Sequence, residues 1–312
     1  MNKPKFLEKF HREKNTNKIP ERDMLVAKII AYTLLTVMSI LAIAPFIVLI
    51  SSSFTSEEAI SFYGYGFFPR EWSIDAWSYL WQARSSIGMA YLMTIGVTVV
   101  GTTLSVIMTS LFAYGLVQKD VPGLKVIMLI LLLTMIFNGG MVSSYIVWNN
   151  YMNIGNTFWA LILPNLLMSS FTVILVLGYY KSSIPSELLE AARIDGAGEL
   201  TIYFRIVLPL STPILATIGM MAALAYWNDW TNGLYYISDK HSELFTIQQL
   251  LNKMNENIAF LQSNPNLAGD IDVPSASVRM AICVAGILPL IIAFPFFQKY
   301  FAQGLTLGSV KG

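Results

Sequence analysis

The chain has 312 residues, of which 55% are hydrophobic and only 12% are charged, and its mean hydropathy is +0.57. Soluble domains usually carry about 25% charged residues, so this composition argues against a soluble protein and for a membrane protein. The formal net charge of +1 excludes a strong global attraction to nucleic acid, and the single cysteine excludes a disulfide framework.

Six apolar runs are long enough to cross the bilayer, which takes about 20 consecutive apolar residues in a helix. We predict an all-α membrane protein whose six transmembrane helices cover residues 24–50, 88–117, 124–148, 157–180, 207–230 and 278–301. The third run is the clearest of the six by composition. The first run is too long for a cleaved secretory signal, so we expect it to remain as a span.

Lysine and arginine are concentrated on one side of these spans, which by the positive-inside rule is the cytoplasmic side. The chain then divides into a cytoplasmic basic tail (1–23), a six-span domain (24–301) and a cytoplasmic C-terminal tail (302–312). Within the domain, residues 181–208 form a cytoplasmic segment, and residues 231–277 form a long extracellular loop. Both termini are therefore expected to be cytoplasmic.

Each of the two long external segments contains a predicted helix. In the first segment, Ser73 is a candidate N-cap for a short helix whose one face carries Trp77, Leu80 and Trp81. In the second, apolar residues repeat at helical spacing: Ile247, Leu250, Leu251, Met254, Ile258 and Leu261. This apolar stripe must be buried, either against the protein's own span ends or against a partner protein.

No motif for catalysis or nucleotide binding is present in the sequence. The phosphate-binding pattern GxxxxGK[ST] is absent, and the glycine-rich tail "GLTLGSVKG" has the wrong spacing for it. The two histidines, His11 and His241, lie outside the spans, and no metal-ligand spacing occurs. We expect a protein that is not an enzyme and that binds neither a cofactor nor a metal.

The middle of every predicted span lacks an ionisable residue. Such residues are expensive within a membrane and are kept where function needs them, for example as proton relays. Their absence argues against a proton-coupled carrier. Sodium sites built from backbone carbonyls remain possible.

Neutral polar and aromatic residues gather toward the outer ends of the third and fifth spans, in "NGGMVSSYIVWNN" and "YWNDWTN". Amides hydrogen-bond to hydroxyl groups and aromatic rings stack on the apolar faces of sugars, so this mixture suits a neutral polyol or sugar. The candidate residues of a substrate path are Asn138, Tyr145, Asn149, Trp227 and Asn228. The alternative is an aromatic belt at the membrane interface with amides that pack helices.

The stretch "ELLEAARIDGAGELTIYFRIVLP", residues 187–209, is charged although apolar runs surround it. Ser186 is a candidate N-cap for a helix over "ELLEAARI", with an apolar face made by Leu188, Leu189 and Ala192. Gly196 should end this helix, because glycine adopts the left-handed conformation readily. "GELTIYFRIV" then resumes helix. We predict a bent pair of short helices whose small residues allow another surface to approach closely.

This stretch resembles the EAA signature of ABC-importer permeases, which reads EAA, three residues, glycine and an Ile-x-Leu-Pro end. The matching residues are Glu190, Ala191, Ala192, Gly196, Ile206, Leu208 and Pro209. "FFPREWSIDAW", "WNDW" and "KYFAQGLTLGSVKG" resemble the carbohydrate-uptake subfamily. Residues 24–312 as a whole resemble the maltose-permease-like second subunit of oligosaccharide importers.

The resemblance implies a type I importer in a bacterial-type plasma membrane. This chain would pair with a second, homologous permease, two cytoplasmic ATPase subunits would hold ATP and Mg²⁺, and an extracellular binding protein would deliver a neutral sugar. The loop 231–277 would meet that binding protein. Residues 181–208 would be a coupling segment that seats in a groove of one ATPase subunit.

The residues that this resemblance assigns to ATPase coupling are Glu190, Ala191, Ala192, Arg193, Asp195, Gly196, Ala197, Leu208 and Pro209. The C-terminal tail would reach toward the ATPase interface. Two alternative functions remain beside the importer, an ion-coupled secondary carrier and a non-transport membrane scaffold. Co-purification with an ATPase subunit would separate the importer from both.

Overall fold

The computed structural model describes residues 21–118, 122–263 and 276–307. Within these ranges the chain is helical and forms no strand beyond an isolated bridge between Thr55 and Trp72, so the predicted all-α class is confirmed. Most of the predicted basic tail, part of the loop 231–277 and the last five residues of the chain lie outside the described residues.

The helices alternate between long apolar elements and short connecting ones. In chain order they are α1 Glu21–Ser53, α2 Glu57–Tyr63, α3 Asp75–Gln82, α4 Arg84–Val117, α5 Leu124–Ile136, α6 Met141–Tyr151, α7 Ser170–Ser183, α8 Ser186–Ile194, α9 Glu199–Leu210, α10 Thr212–Asn228, α11 Thr231–Tyr236, α12 Ile247–Ser263 and α13 Ala276–Leu307. Single 3₁₀ turns occur at Phe158–Leu161 and Asp239–Leu244.

Two described helices are long and apolar enough to cross a membrane, Met24–Ser53 and Arg84–Val117. Two bent pairs, α5 with α6 and α9 with α10, would each pass as one broken span, and α13 contains a shorter apolar stretch over Ala276–Ile292. The six-span count and the cytoplasmic termini therefore stay predictions.

The third apolar run, 124–148, is not one continuous helix as its composition suggested. It bends by 119° between α5 and α6. The break falls at "FNGG", where Gly140 has a φ of +81° and its N–H donates to the side-chain oxygen of Asn138 at 2.9 Å. Glycine takes this left-handed conformation at low cost, so the local turn replaces a helical turn.

The fourth apolar run, 157–180, is α-helical only in its second half, because α7 begins at Ser170 and the first half holds a single 3₁₀ turn. Pro164 supplies no backbone N–H, and Asn165 has a φ of +61°, so this part of the run cannot continue as helix. The fifth run bends by 81° between α9 and α10, where Pro209 and Pro213 flank Ser211. In these runs hydropathy indicated apolar chain but did not reveal the breaks.

The apolar stripe of α12 is covered by the protein itself. Ile247, Leu251 and Ile258 are buried, and they belong to a cluster that includes Val278, Ala281 and Ile282 of α13 and Ala90 of α4. The expectation that this stripe packs on the protein's own span ends is confirmed, and the alternative of a partner protein at the stripe is wrong.

The short helix α3 forms close to where the sequence predicted it. The predicted N-cap is wrong, because Ile74 occupies that position and no side chain caps the helix. Ser73 lies one residue earlier, and its hydroxyl accepts a hydrogen bond from the backbone N–H of Asp75 at 3.0 Å. Leu80 is buried, whereas Trp81 is 69% exposed. The expected face is therefore only partly buried, with Leu80 on its covered side and Trp81 on its open edge.

Two clusters of buried residues pack at separate places along α4. One joins the last turns of α4 to α7, α8, α9 and α10, and the other joins its first turns to α3, α12 and α13. Between them, α4 and α10 approach closely: a Cβ at Gly101 would lie 2.5 Å from the ring of Tyr226. The helix α4 therefore connects the surroundings of the coupling segment with those of α12.

Candidate functional site

The coupling segment folds as the predicted bent pair of helices, α8 and α9. The turn between them has the Schellman pattern: the N–H of Ala197 donates to the carbonyl of Ala192 and the N–H of Gly196 to that of Arg193, both at 3.0 Å. Gly196 has a φ of +80°, as the sequence indicated. Ser186 is not the N-cap, because it is already the first residue of the helix; Pro185 precedes it, and no side chain caps this end.

A polar cluster ties this turn to the end of α4. The Arg193 Nε donates to the Glu199 Oε1 at 2.7 Å, and the Tyr114 hydroxyl donates to the Glu199 Oε2 at 2.5 Å. Gln118 hydrogen-bonds both to Glu199 and to Arg193. The hydrogen bonds from Arg193 and then Tyr114 lower the pKa of Glu199 below its usual range, so this carboxylate is ionised at neutral pH.

A second, buried hydrogen-bond chain ties α9 to two other helices. The Ser110 hydroxyl of α4 lies 2.7 Å from the hydroxyl of Tyr180 in α7 and 2.7 Å from that of Tyr203 in α9. These side chains sit within the apolar cluster that also contains Leu189 of α8. Buried hydroxyls that satisfy one another hold the elements in a specific arrangement. The coupling segment is therefore fixed to α4 and α7 on its inner side.

The outward side of the coupling segment exposes large apolar side chains. Ile194 is 85% exposed, Leu200 68% and Phe204 56%. Leu188 is also exposed although its neighbour Leu189 is buried, so these two leucines do not share a face as the sequence analysis expected. An exposed apolar patch rimmed by charged residues is typical of a surface that binds another protein.

The residues assigned to ATPase coupling differ in their accessibility. Glu190, Ala191, Asp195, Gly196 and Pro209 are exposed on the outward side, whereas Ala192, Ala197 and Leu208 are half-buried and pack on the apolar cluster beneath. Arg193 is exposed, but its guanidinium is held within the chain by Glu199.

The five residues of the predicted substrate path fall into two pairs and a single residue. The Asn149 amide donates to the Tyr145 hydroxyl at 3.1 Å, and the Tyr145 ring stacks on that of Tyr236 with centroids 5.9 Å apart. Asn138 makes the turn between α5 and α6.

The second pair lies at the end of α10. The Trp227 ring is buried and its Nε1 donates to the carbonyl of Gly286 in α13 at 3.4 Å. Asn228 is exposed, and its Nδ2 donates to the carbonyl of Leu224 at 2.9 Å, which leaves its side-chain oxygen available. Trp227 therefore helps to join α10 to α13, while Asn228 can contact a ligand.

A cavity of about 600 Å³ lies between α4, α10 and Leu290 of α13. Its walls are mostly apolar and include Trp227, and hydroxyl groups come from Thr98, Thr102, Thr103 and Thr212. The hydroxyls of Thr98 and Thr102 are buried and have no hydrogen-bond partner among the described residues. Thr98 and Thr102 were not predicted from the sequence, although they are spaced four residues apart along α4.

A second cavity of about 270 Å³ lies between the end of α10, α12 and α13. We call it the amide pocket because its polar side chains are four amides and an indole: Asn228, Trp230, Gln248, Asn252 and Asn255. Leu251, Ile282, Cys283, Gly286 and Ile287 complete its walls. Only Asn228 was a candidate from the sequence, yet the three amides of α12 follow the spacing i, i+4, i+7 of one helix face.

Comparisons with known proteins agree with this architecture. Residues 121–307 match the family described as binding-protein-dependent transport system inner membrane component. The polygalacturonan/rhamnogalacturonan transport system permease protein YtcP of Bacillus subtilis is 35% identical over 93% of this chain and 98% of its own length. The melibiose/raffinose/stachyose import permease protein MelC of Bacillus subtilis is 31% identical over 86% of this chain and 91% of its own.

Among solved structures, a similar chain comes from the crystal structure of a bacterial ABC transporter involved in the import of the acidic polysaccharide alginate. The TM-score is 0.74 at 28% sequence identity, and the match covers 90% of this chain and 98% of that one. The structural similarity therefore extends over most of this chain.

Proposed function

This chain belongs to the family of binding-protein-dependent transport system inner membrane components, and from that premise we propose that it is one permease subunit of an ATP-driven importer of a neutral oligosaccharide. ABC permease subunits of this family have no ATPase site of their own, and partner subunits hydrolyse ATP. We therefore propose that this chain binds no cofactor and that ATP and Mg²⁺ are held by two cytoplasmic ATPase subunits.

The observation that carries this proposal is the construction of the coupling segment. Its outward side exposes Ile194, Leu200 and Phe204, which lose contact with water if another protein covers them. Its inner side is fixed to α4 by the hydrogen bond from Tyr114 to the Glu199 carboxylate, and to α4 and α7 by the buried hydroxyls of Ser110, Tyr180 and Tyr203. A partner that moves this segment would therefore move the helices attached to it rather than bend a loop.

Three further partners complete the proposed importer. A second, homologous permease would cover apolar surface such as that of α1, whose side chains are largely exposed and which packs on α13. An extracellular sugar-binding protein would meet the side that carries α12. Both termini and the coupling segment would face the cytoplasm, and the complex would span the plasma membrane.

A neutral substrate is favoured by the chemistry of the two cavities. Neither is lined by a charged side chain among the described residues, and their polar groups are amides, hydroxyls and indole N–H groups. Moving an unpaired carboxylate into such surroundings would cost several kcal/mol, whereas sugar hydroxyls need only hydrogen bonds. The names of the similar proteins mention both acidic polysaccharides and neutral sugars. The proposal of a neutral substrate therefore rests on the chemistry of the two cavities.

The test is uptake into vesicles that contain this chain, the second permease and the ATPase subunits, with the sugar-binding protein supplied. We expect uptake of a neutral oligosaccharide that requires ATP and survives collapse of the proton and sodium gradients. Loss of uptake under an ionophore at saturating ATP would instead support an ion-coupled carrier. Uptake of a uronic-acid oligosaccharide in place of the neutral one would refute substrate neutrality alone.

A further inference from the structure

We propose that the amide pocket is a binding subsite for one ring of the transported neutral saccharide. This inference rests on the proposed function and adds to it a location, a set of contacting groups and a ligand size. The pocket lies where the end of α10 meets α12 and α13, and each of the three helices contributes to its wall.

The amides of the pocket are only partly used within the protein. The side-chain oxygen of Asn255 is buried without a hydrogen-bond partner among the described residues. Asn252 donates to Glu256 at 2.9 Å and Asn228 donates to Leu224 at 2.9 Å, so each retains its side-chain oxygen as an acceptor. A buried acceptor without a partner is unfavourable, which indicates that water or a ligand satisfies it.

The combination of groups matches the chemistry of a sugar ring. An amide offers both a donor and an acceptor, and a sugar hydroxyl is also both, so neighbouring amides can bind neighbouring hydroxyls. The Trp230 ring is 41% exposed and provides an apolar face for the C–H side of a pyranose. The pocket of about 270 Å³ is slightly smaller than the roughly 300–1,000 Å³ range of small-ligand sites, which suits a single ring.

Packing of α12 does not require these amides. The helix already buries an apolar stripe through Ile247, Leu251 and Ile258, and this stripe holds it on α4 and α13. Gln248, Asn252 and Asn255 lie on an adjacent face, where a surface helix could carry any polar residue. The amide row is therefore not fixed by the packing of α12 and is free to serve a ligand together with Asn228 and Trp230.

The pocket contains its own chemical probe, because Cys283 lines it and is the only cysteine of the chain. We would purify the complete transporter without its binding protein and measure the rate at which a small thiosulfonate reagent modifies Cys283. The saccharides tested are raffinose, maltotriose and arabinotriose, with trigalacturonate as the charged counterpart. We expect a neutral saccharide to slow the modification in a saturable way.

The variant Asn255→Leu tests the contact directly, since it removes an acceptor that has no partner among the described residues. We expect it to raise the saccharide concentration for half-protection by about 2- to 10-fold, the value of one hydrogen bond. The matched control is Asn257→Leu on the same helix, because Asn257 is exposed and outside the pocket. If Cys283 resists the reagent, the measurement is made at Ile287→Cys in a Cys283→Ala background, because Ile287 lines the pocket without offering a hydrogen bond.

The outcomes separate this inference from the proposed function. If the wild-type transporter takes up a saccharide but no saccharide protects the pocket cysteine, the subsite is refuted and the importer stands. The same holds if Asn255→Leu and Asn257→Leu need the same saccharide concentration for half-protection. Protection by trigalacturonate alone would refute the neutral ligand. If the wild-type complex takes up no saccharide with ATP, both proposals fall.

Discussion

Replacing Gly196 by alanine should impair the proposed coupling of ATP hydrolysis to transport, although it adds only one methyl group. The φ of Gly196 is +80°, and a Cβ there would meet nothing within 4 Å. Gly196→Ala therefore adds no steric overlap and only makes the left-handed conformation unfavourable, by roughly 1–2 kcal/mol. This free energy corresponds to a factor of about 5–30 in the population of the bent form.

The consequence follows from the hydrogen bonds that the turn makes. If residue 196 leaves the left-handed region, the bonds from residues 196 and 197 back to α8 are lost, and α9 starts in another direction. Glu199 would then lose its position beside Arg193 and Tyr114. We expect a subunit that still inserts but whose transport per ATP hydrolysed falls several-fold.

The assay is ATP-driven uptake together with ATPase activity in reconstituted vesicles, and the control is Gly198→Ala. A Cβ at Gly198 would also meet nothing within 4 Å, but the φ of this residue is −71°, which alanine adopts freely. Gly196→Asn should lie closer to the wild type, because asparagine already has a positive φ at 153, 156 and 165 of this chain. Equal coupling in Gly196→Ala and Gly198→Ala would refute the reasoning.

Two further predictions concern packing and topology. Gly101→Ala should lower the free energy of unfolding of the purified complex by about 1–3 kcal/mol, because its Cβ would lie 2.5 Å from the ring of buried Tyr226. The control Gly115→Ala should not lower it, because a Cβ there would meet nothing within 4 Å. Equal melting of the two variants would contradict the close approach of α4 and α10. In a cysteine-free background, Ser242→Cys should react with an impermeant reagent added outside cells and Ser186→Cys should not, although both positions are exposed. The reverse pattern would overturn the proposed orientation.

Two local features of this protein were predicted from its sequence and are present in the structure. These are the helix break at Gly196 and the burial of the α12 stripe. Glycine's freedom at positive φ and the 3.6-residue period of a helix act within a few residues, so the sequence pattern contains them directly.

The course of the apolar runs was only partly predictable. Hydropathy identified apolar chain at 124–148 and 157–180, but the first of these bends by 119° and helix α7 begins only at Ser170. A hydropathy average over about 20 residues does not register a turn made by two or three of them. The asparagines and glycines at these breaks were visible in the sequence, but the sequence analysis treated them as parts of continuous spans.

Only the tertiary structure brings together the groups of the candidate sites. Arg193 and Glu199 meet Tyr114 of α4 and Gln118, which follows that helix, across at least 75 positions of the chain. The amide pocket combines Asn228 with α12 and α13 in the same way. Such contacts depend on how whole helices pack, and packing is decided by the sum of many weak, non-directional apolar contacts rather than by any local pattern. The sequence by itself therefore determined the class of protein and the bent pair of helices around Gly196, while the packed helices decided which polar groups act together.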